Sequence, residues 1–516
     1  MEFNIFMWII AVLPIALLLF LMSYLKLNSR KSALISLGFT ILFSVFVYKL
    51  SLNQVLISIG KGSALSLYVI LIIIGAVFLY NIVNIAGGFK TIKSFMQSLG
   101  GDKALQFIGL SWAFTGFIQG VTGFGVPVAI VGSLLIGIGY KPLVAITAVL
   151  VGHSWAISFG SMGSSFFALK LVTGLESVTL GTYLALFFFI PVFTTGIFTA
   201  HIYGGIKTVK KNLKIIFPMS ILMALAQLGA AVGDFAHIGS LLGGLVGSIF
   251  FLVVLLKQSD FSIRDVLYFK NEDMSILTAL FPYVILIGSV LLFQVPIIKN
   301  LLPELKLSFS FPGFTTALGY EVAAEKAYSP INLFSHPIFF LILSSTLGGV
   351  LFFHNQFLSK SKFTKILQNS YQKARSSVLT VFLLLIMALI MNDSGMIYNF
   401  AQGVSKISGA FFPILSPLIG ILGAFLTGSN TSSNVLFGAF QMNTANLLGF
   451  SPEVIASTQS IGGSLGSAIA PAKILLGTSV VGIVGKEGEI IKRCLKYTLI
   501  SGTLVGLTAF LVEFLI

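Results

Sequence analysis

Long runs of apolar residues constrain this chain more than any other feature of its sequence. Five of the clearest runs span residues 5–25, 64–86, 182–200, 238–256 and 276–295. A helix needs about 20 apolar residues to cross the hydrocarbon core of a bilayer, and backbone groups in lipid must satisfy their hydrogen bonds within the helix. A membrane β-barrel would show short alternating segments instead. The runs therefore predict an all-α polytopic membrane protein.

The composition agrees with a chain that faces lipid. Of its 516 residues, 56% are hydrophobic and 9% are charged, whereas a soluble domain has about 25% charged residues. The formal net charge of +15 comes largely from basic residues in short loops, which indicates membrane topology and not nucleic-acid binding. Cys494 is the single cysteine, so an internal disulfide and a cysteine-based metal cluster are excluded. We predict no cofactor, no metal site and no catalytic residues.

The Lys and Arg residues indicate how the chain is oriented. If the N-terminus lies outside and two apolar regions do not cross, the inner segments carry 22 Lys and Arg residues and the outer segments carry 7. An excess of this kind marks the cytoplasmic side. We therefore predict a membrane protein with 12 crossings and both termini on the extracytoplasmic side.

The two apolar regions that do not cross are predicted re-entrant hairpins, at 104–139 and 409–449. Their arms are short, and the polar stretches 120–125 and 428–434 separate them. Non-helical backbone at mid-membrane depth is tolerated where it is buried in protein or lines a wet cavity. The alternative is a protein of 14 ordinary crossing helices.

A weak internal repeat relates the two halves of the chain. At one offset of 310 residues the matching pairs are Gly139 with Gly449, Pro142 with Pro452, Gly152 with Gly462 and Ser154 with Ser464. Each unit has a hairpin, a turn and a broken helix, the latter at 143–168 and 453–485. An odd number of crossings lies between the hairpins and inverts the second unit. We predict inverted repeats over 1–256 and 257–516, which are typical of secondary transporters with a mid-membrane binding site.

The hairpin tips and the broken helices supply the predicted substrate site. Hydroxyls, side-chain amides and free backbone N–H groups at a helix start suit a carboxylate, although small residues also serve close helix packing. The residues predicted to contact substrate are Gly120, Thr122, Gly123, Gly125, His153, Ser154, Ser429, Asn430, Thr431, Ser432, Ser433, Asn434, Ser464 and Lys473.

Three ionisable residues inside the apolar regions need a reason, because charge within a bilayer is costly. Lys473 either balances an anionic substrate or extends from a helix end to the interface. Asp393 is either a proton-coupling carboxylate or a helix-end residue at the outer interface. His153 either couples or relays protons, or packs as a neutral side chain. The sequence has no phosphate-binding loop, so gradient-driven transport is the predicted function.

Four segments resemble the L-lactate permease family. They are 116–130 (GFIQGVTGFGVPVAI), 140–143 (YKPL), 427–438 (TGSNTSSNVLFG) and 484–488 (VGKEG). The resemblance implies a plasma-membrane symporter of L-lactate, glycolate or a related 2-hydroxymonocarboxylate with a proton. It also implies two inverted repeats with an elevator motion, and it is compatible with a homodimer.

The chain departs from the family pattern at three positions. Gln119 and Asn430 stand where the family tends to have acidic residues, and Lys473 stands where it has an uncharged one. The amides cannot carry the coupled proton, and the lysine favours an anionic ligand. Another small anion as substrate, coupling to Na⁺ and a passive channel are the alternatives.

Overall fold

The computed structural model describes residues 3–98, 100–123, 125–258, 263–272 and 274–515, and Phe124 in the first predicted hairpin lies outside these ranges. The first half of the chain contains helices α1 (Ile5–Ser23), α2 (Ser29–Phe46), α3 (Leu52–Ala86), α4 (Gly88–Ser98), α5 (Lys103–Gly109), α6 (Thr115–Val121), α7 (Val126–Gly137), α8 (Pro142–Gly152), α9 (Gly160–Thr173), α10 (Ser177–Val232), α11 (Gly239–Leu256) and α12 (Ile263–Tyr268). A π-helical segment, Leu110–Phe114, joins α5 to α6.

The second half begins with two short strands. The elements are β1 (Lys270–Asn271), β2 (Met274–Ser275), α13 (Ile276–Gln294), α14 (Pro296–Leu301), β3 (Lys306–Phe311), β4 (Phe314–Thr315), β5 (Glu321–Val322), β6 (Glu325–Asn332), α15 (Pro337–His354), α16 (Lys360–Asp393), α17 (Met396–Ser408), α18 (Phe412–Thr427), α19 (Asn430–Leu448), α20 (Pro452–Gly466), α21 (Pro471–Val480) and α22 (Glu487–Glu513).

Eleven helical segments of the described chain are long and apolar enough to cross a membrane, and the bent pair of α8 and α9 raises that number to 12. The prediction of a polytopic helical membrane protein with about 12 spans is confirmed. α10 has 56 residues, and non-helical backbone at Gly204 and Gly205 divides it. Lys103–Val121, in the first predicted hairpin, meets the same standard of length and apolarity. Re-entry of the two hairpins therefore stays a prediction.

Glycines in left-handed backbone conformations reverse the chain at both predicted hairpin tips. Gly123 and Gly125, between α6 and α7, have φ angles of +57° and +79°. Gly428 ends α18 with a φ of +74°, and α19 runs back along α18, because Ser433 Oγ donates to Gly420 O at 3.1 Å. Glycine adopts this backbone without the strain that a Cβ brings, so the two turns fall at these residues.

Both predicted broken helices are interrupted in the structure. After α8 the chain makes a 3₁₀ turn at Ser154–Ala156, and α9 leaves at an angle of 52° to α8. α20 gives way to a 3₁₀ turn at Ser467–Ile469 and to the extended residue Ala470. Pro471 then opens α21, where its missing N–H is not needed. Each break leaves backbone groups without helical partners, and these groups must be satisfied by other parts of the chain.

Short strands occur in two connections of this mostly helical chain. β1 pairs with β2, and the longer β3 and β6 pair antiparallel with the β4–β5 hairpin between them. The segment from β3 to β6 lies over the start of α3, where Gln54 Nε2 donates to the carbonyl oxygen of Thr315 in β4 at 3.0 Å. Residues 306–311 alternate polar and apolar side chains as a strand does, a pattern too short to stand out in a loop.

Several glycines of the hairpins and the broken helices serve close helix packing. A Cβ on Gly120 would lie 2.5 Å from Leu241 Cα of α11, and a Cβ on Gly462 would lie 1.9 Å from Pro417 O of α18. Both distances are far below a van der Waals contact, so any larger residue would push the helices apart. Gly120, which the sequence placed in the substrate site, is thus a contact between α6 and α11.

Candidate functional site

A cavity of about 240 Å³ lies where the two hairpin tips and the two helix breaks come together. A further wall of the cavity is formed by α2, α3 and α16. The lining residues are Gln119, Gly125, Ile157, Ser161, Ser164 and Ser165 from the first unit, Thr427, Gly428, Ser429, Asn430, Thr431, Ser432, Ala472, Lys473 and Leu476 from the second, and Ser29, Ile73, Ser376, Ser377, Thr380 and Val381 from the further wall. Eleven of these 21 lining residues are Ser or Thr and carry hydroxyl groups.

Hydrogen bonds join the two helix breaks directly. Ser464 Oγ donates to Ser154 O at 2.5 Å and accepts a bond from Ile157 N at 3.2 Å. Ser158 Oγ and Ser460 Oγ lie 2.9 Å apart. These bonds satisfy buried backbone groups that the breaks leave without helical partners. Ser154 and Ser464, which were predicted to contact substrate, are buried contacts between the two breaks and are absent from the described lining of the cavity.

The tip of the second hairpin is bonded to the first break. Asn430 Nδ2 donates to Ser158 Oγ at 3.0 Å, and Asn434 Nδ2 donates to Ser165 O at 2.9 Å. The hydroxyls of Thr431 and Ser165 lie 2.9 Å apart. All of these groups are buried, so each bond contributes to a fixed arrangement of the tip. Asn434 thus acts from behind the cavity, whereas Asn430 and Thr431 also line it.

The same hairpin presents the first turn of α19 to the cavity. Ser429 is the N-cap residue, and its hydroxyl accepts a bond from Ser432 N at 3.3 Å. The first backbone N–H groups of a helix and its dipole attract anions. Four consecutive residues of this turn, 429–432, line the cavity, while Ser433 is buried behind them. The turn is therefore suited to hold a carboxylate.

Lys473 supplies positive charge to the cavity. The other described lining residues have uncharged side chains. Lys473 lies in the first turn of α21. Its ammonium has no hydrogen-bond or ion-pair partner in the described part of the chain. The positive end of the α21 dipole adds to this charge instead of compensating it. The arrangement favours an anion beside Lys473.

His153 and most of the first hairpin tip lie next to the cavity without lining it. His153 is fully buried, and its Nδ1 lies 2.7 Å from Val149 O. Its Nε2 has no partner among the described residues. Thr122 Oγ1 donates to Ile118 O at 2.8 Å. Of the predicted residues in that tip, Gly125 lines the cavity.

Asp393 lies apart from the cavity, in a buried ion pair. Its Oδ2 accepts a bond from Ser58 Oγ at 2.8 Å and lies 3.9 Å from Lys61 Nζ. Val381 is the last residue of α16 in the cavity lining, and the 12 residues from there to Asp393 correspond to ~18 Å of helix. Asp393 ends α16 and is only 2% exposed, and its place in proton coupling or at the outer interface stays a prediction.

Most of the residues on the cavity surface outside the second hairpin tip are not among the predicted site residues. Ser164 and Ser165 follow the first break, and Ser376, Ser377 and Thr380 come from α16. A hydroxyl cluster at the start of the apolar part of α16 was a usable signal. Its distance in sequence from both repeat units gave no reason to place it at the site.

A second cavity, of about 610 Å³, lies on the other side of α9. Its lining residues include Tyr68, Phe166, Phe167, Lys170, Asp234, His237, Asn300, Glu304, Asn332 and Phe334. On α9, Ser164 and Ser165 line the first cavity and the next two residues, both phenylalanines, line the second. The two cavities are therefore separated by about one turn of α9. The second cavity adjoins the segment around β3 and β6, whereas the first adjoins the start of α2.

Comparison with known proteins gives a family. The sequence profile of L-lactate permease matches residues 7–516 of this chain. An L-lactate permease of Streptococcus iniae is 29% identical over 463 residues, which cover 88% of this chain and 94% of that protein. The glycolate permease GlcA of Escherichia coli K12 is 27% identical, with 98% and 95% covered, and the L-lactate permease of the same strain is 27% identical, with 96% and 94% covered.

Among solved structures, the fold is similar to that of MtrF from Neisseria gonorrhoeae, which belongs to a class of antimetabolite efflux pumps. The TM-score is 0.53 at 14% sequence identity, with 95% of this chain and 96% of that chain covered. At this identity the likeness concerns the fold alone. It supports the polytopic transporter architecture and carries nothing about substrate.

Proposed function

Because this chain belongs to the L-lactate permease family, we propose that it is a secondary active transporter of the plasma membrane that carries L-lactate, glycolate or a related 2-hydroxymonocarboxylate together with a proton. The observation that carries the proposal is the cavity at the hairpin tips, where the unpaired ammonium of Lys473 faces a surface of hydroxyls and the start of a helix. The names of the relatives supply the substrate class, and the cavity supplies the chemistry that recognises it.

The carboxylate of the substrate would lie between Lys473 and the first turn of α19. A charged donor and a helix start acting on one anion give stronger hydrogen bonds than neutral groups do. Ser429, Asn430 and Ser432 are within the same lining and can donate from hydroxyl or amide groups. The bound anion thereby exchanges its hydrogen bonds to water for those of the cavity and for the positive charge of Lys473.

The 2-hydroxyl of the substrate would be recognised by the first unit. Gln119 Oε1 is buried without a hydrogen-bond partner among the described residues, and Gln119 lines the cavity beside Ser161 and Ser164. A buried acceptor of this kind gains a bond when a substrate hydroxyl donates to it. A cavity of about 240 Å³ also lies below the range of about 300–1,000 Å³ typical of drug-sized ligands, which suits a small acid.

Alternating access would use the two cavities on either side of α9. In this proposal the first cavity opens toward the cytoplasm and the second toward the outside, in agreement with the predicted extracytoplasmic termini. The two inverted repeats over 1–256 and 257–516 would carry the hairpins and the broken helices as one unit that slides against α2, α3 and α16. The direct bond between Ser154 and Ser464, which occupy equivalent positions of the two repeats, supports a joint movement.

Uptake by purified protein in proteoliposomes tests this function. An inward proton gradient should drive accumulation of labelled L-lactate above its external concentration, and unlabelled glycolate should compete. Propionate is the matched control, since it has the same carboxylate and chain length and lacks the 2-hydroxyl. Accumulation that follows a Na⁺ gradient and ignores the proton gradient would contradict proton symport. Flux that neither saturates nor accumulates substrate would identify a channel instead.

A further inference from the structure

We infer that Lys473 is the residue that carries the coupled proton. The ammonium form would cross the membrane with the bound carboxylate, and the neutral amine would cross with the site empty. This inference rests on the proposed function and assigns the coupling group within the same cavity. It replaces neither the substrate class nor the location of the site.

The titratable groups in and near the cavity identify Lys473 as the group that can carry the proton. The described lining residues include neither Asp nor Glu. Gln119 and Asn430 stand at positions where a carboxylate would exchange protons with the substrate site, and amides do not titrate. Asp393 is held in the ion pair with Lys61 at the far end of α16. Lys473 is thus the titratable group that touches the space a substrate would occupy.

The titratable groups around Lys473 leave its ammonium without a fixed counter-ion. α21 packs mainly against α7, α8, α22 and the 3₁₀ turn Ser467–Ile469, and α7, α8 and that turn contain no titratable side chain. His153, which follows α8, is neutral or positive and therefore supplies no counter-ion. The titratable residues of α22 are Glu487, Glu489, Lys492, Arg493, Cys494, Lys496, Tyr497 and Glu513.

The carboxylates at the start of α22 are engaged elsewhere. Glu487 Oε1 accepts a bond from Thr478 Oγ1 at 2.6 Å, and Glu489 pairs with Arg493 at 2.9 Å. Among the described residues, hydrogen bonds and ion pairs connect neither carboxylate to Lys473. The substrate carboxylate is therefore the counter-ion that the site is built to receive.

Proton coupling follows from this arrangement because an unpaired charge is costly inside a membrane. With substrate bound, the ammonium and the carboxylate form a neutral pair that can cross. After the anion leaves, the ammonium is unpaired, and loss of its proton to water on that side makes the empty site neutral again. The empty carrier returns, and the amine takes a proton from water on the first side. Each cycle moves one anion and one proton in the same direction with no net charge.

Lys473→Arg separates the two halves of this cycle. A guanidinium pairs with a carboxylate but keeps its proton at all accessible pH values. In proteoliposomes the variant should retain exchange of labelled for unlabelled L-lactate, since both crossings then carry a neutral pair. Net uptake driven by a proton gradient should fall by roughly 100-fold, the factor that corresponds to the insertion cost of one unpaired charge. Lys492→Arg, the same exchange at an exposed lysine of α22, is the matched control and should retain both activities.

Proton uptake on binding provides a second measurement that does not depend on turnover. L-lactate added to weakly buffered wild-type protein in detergent should cause proton uptake at alkaline pH, and the Lys473→Arg variant should bind without taking up protons.

Binding without proton uptake in the wild type overturns the inference, as does gradient-driven uptake by Lys473→Arg at the wild-type rate. Loss of coupling in His153→Asn with coupling kept in Lys473→Arg would assign the proton to the histidine. Absence of both L-lactate binding and exchange in the wild type would instead refute the proposed function.

Discussion

The buried ion pair between α3 and α16 gives a quantitative prediction about stability. Lys61 and Asp393 have side chains that are 5% and 3% exposed, and their charged atoms lie 3.9 Å apart. Ser58 Oγ adds a bond to the carboxylate, and the ring of Tyr328 lies 5.7 Å from Lys61 Nζ. Asp393→Asn removes the negative charge with little change in shape. It leaves Lys61 as an unpaired buried cation.

The magnitude follows from the distance and the burial of the pair. Two unit charges separated by 3.9 Å attract by about 4 kcal/mol at an effective dielectric constant of about 20. Removal of one member of a buried pair typically costs 3–5 kcal/mol, because the other charge stays desolvated. We expect Asp393→Asn to lower the free energy of unfolding by about 3–5 kcal/mol. Lys61→Met should have a similar effect, and the double variant should recover more than half of either loss.

Thermal unfolding of the detergent-solubilised protein measures these differences as a double-variant cycle. The two single variants should have clearly lower midpoints than the wild type, and the double variant should lie above both. If the double variant loses the sum of the two single losses, the side chains do not interact and the reasoning fails. The same variants test the coupling role predicted for Asp393. Proton-driven uptake per folded molecule should survive in the double variant, and its loss there would assign the proton to Asp393.

Three further predictions concern other parts of the structure. Gly123→Ala places a Cβ 1.6 Å from the Ser161 hydroxyl at a φ of +57°, so transport should fall more than tenfold. Gly288→Ala, in α13 with nothing within 4 Å of the added Cβ, should keep transport. Asn434→Ala removes two buried hydrogen bonds and should weaken L-lactate binding about tenfold or more, in contrast to Asn443→Ala, whose single bond lies within α19. The pKa of Asp102, an N-cap outside the spans, is lowered mainly by a hydrogen bond from Lys211. The stabilisation that its carboxylate gives should therefore be present above about pH 4 and lost below. The thermal midpoints of Asp102→Asn and the wild type should converge in acid. Uptake assays, equilibrium binding and melting curves test these three predictions in turn. A Gly123→Ala or Asn434→Ala variant that behaves like its control variant would contradict the first or the second. An Asp102→Asn variant that melts like the wild type at every pH would contradict the third.

Local backbone features of the site could be predicted from the sequence. Polar stretches between short apolar arms marked the two tips, and positive φ angles at Gly123 and Gly428 now explain the turns. The proline at 471 after a run of small residues marked the second break, and Lys473 beside it does line the cavity. These signals are local, because glycine, proline and an isolated charge each change what the next few residues can do.

The partners of these features depend on tertiary packing and could not be predicted. Ser154 and Ser464 are polar residues in the broken helices, yet they hydrogen-bond to each other and do not line the cavity. Ser164 and Ser165 line it instead. Asp393 was one of two intramembrane charges considered for function, and the structure pairs it with Lys61, which is 332 residues away in sequence. A single sequence does not reveal which hydroxyls and charges of distant helices meet.

Binding of L-lactate to a Lys473→Met variant tests the central claim most directly. Methionine keeps an unbranched side chain, shorter by the terminal nitrogen, and removes the charge. A lost charged hydrogen bond of about 1.5–3 kcal/mol corresponds to a roughly 10- to 100-fold weaker affinity. Lys170→Met, in the second cavity, is the control and should bind as the wild type does. Equilibrium binding of labelled L-lactate to purified protein should show the loss in Lys473→Met alone. Equal affinity in Lys473→Met and the wild type would contradict the assignment of this cavity as the substrate site.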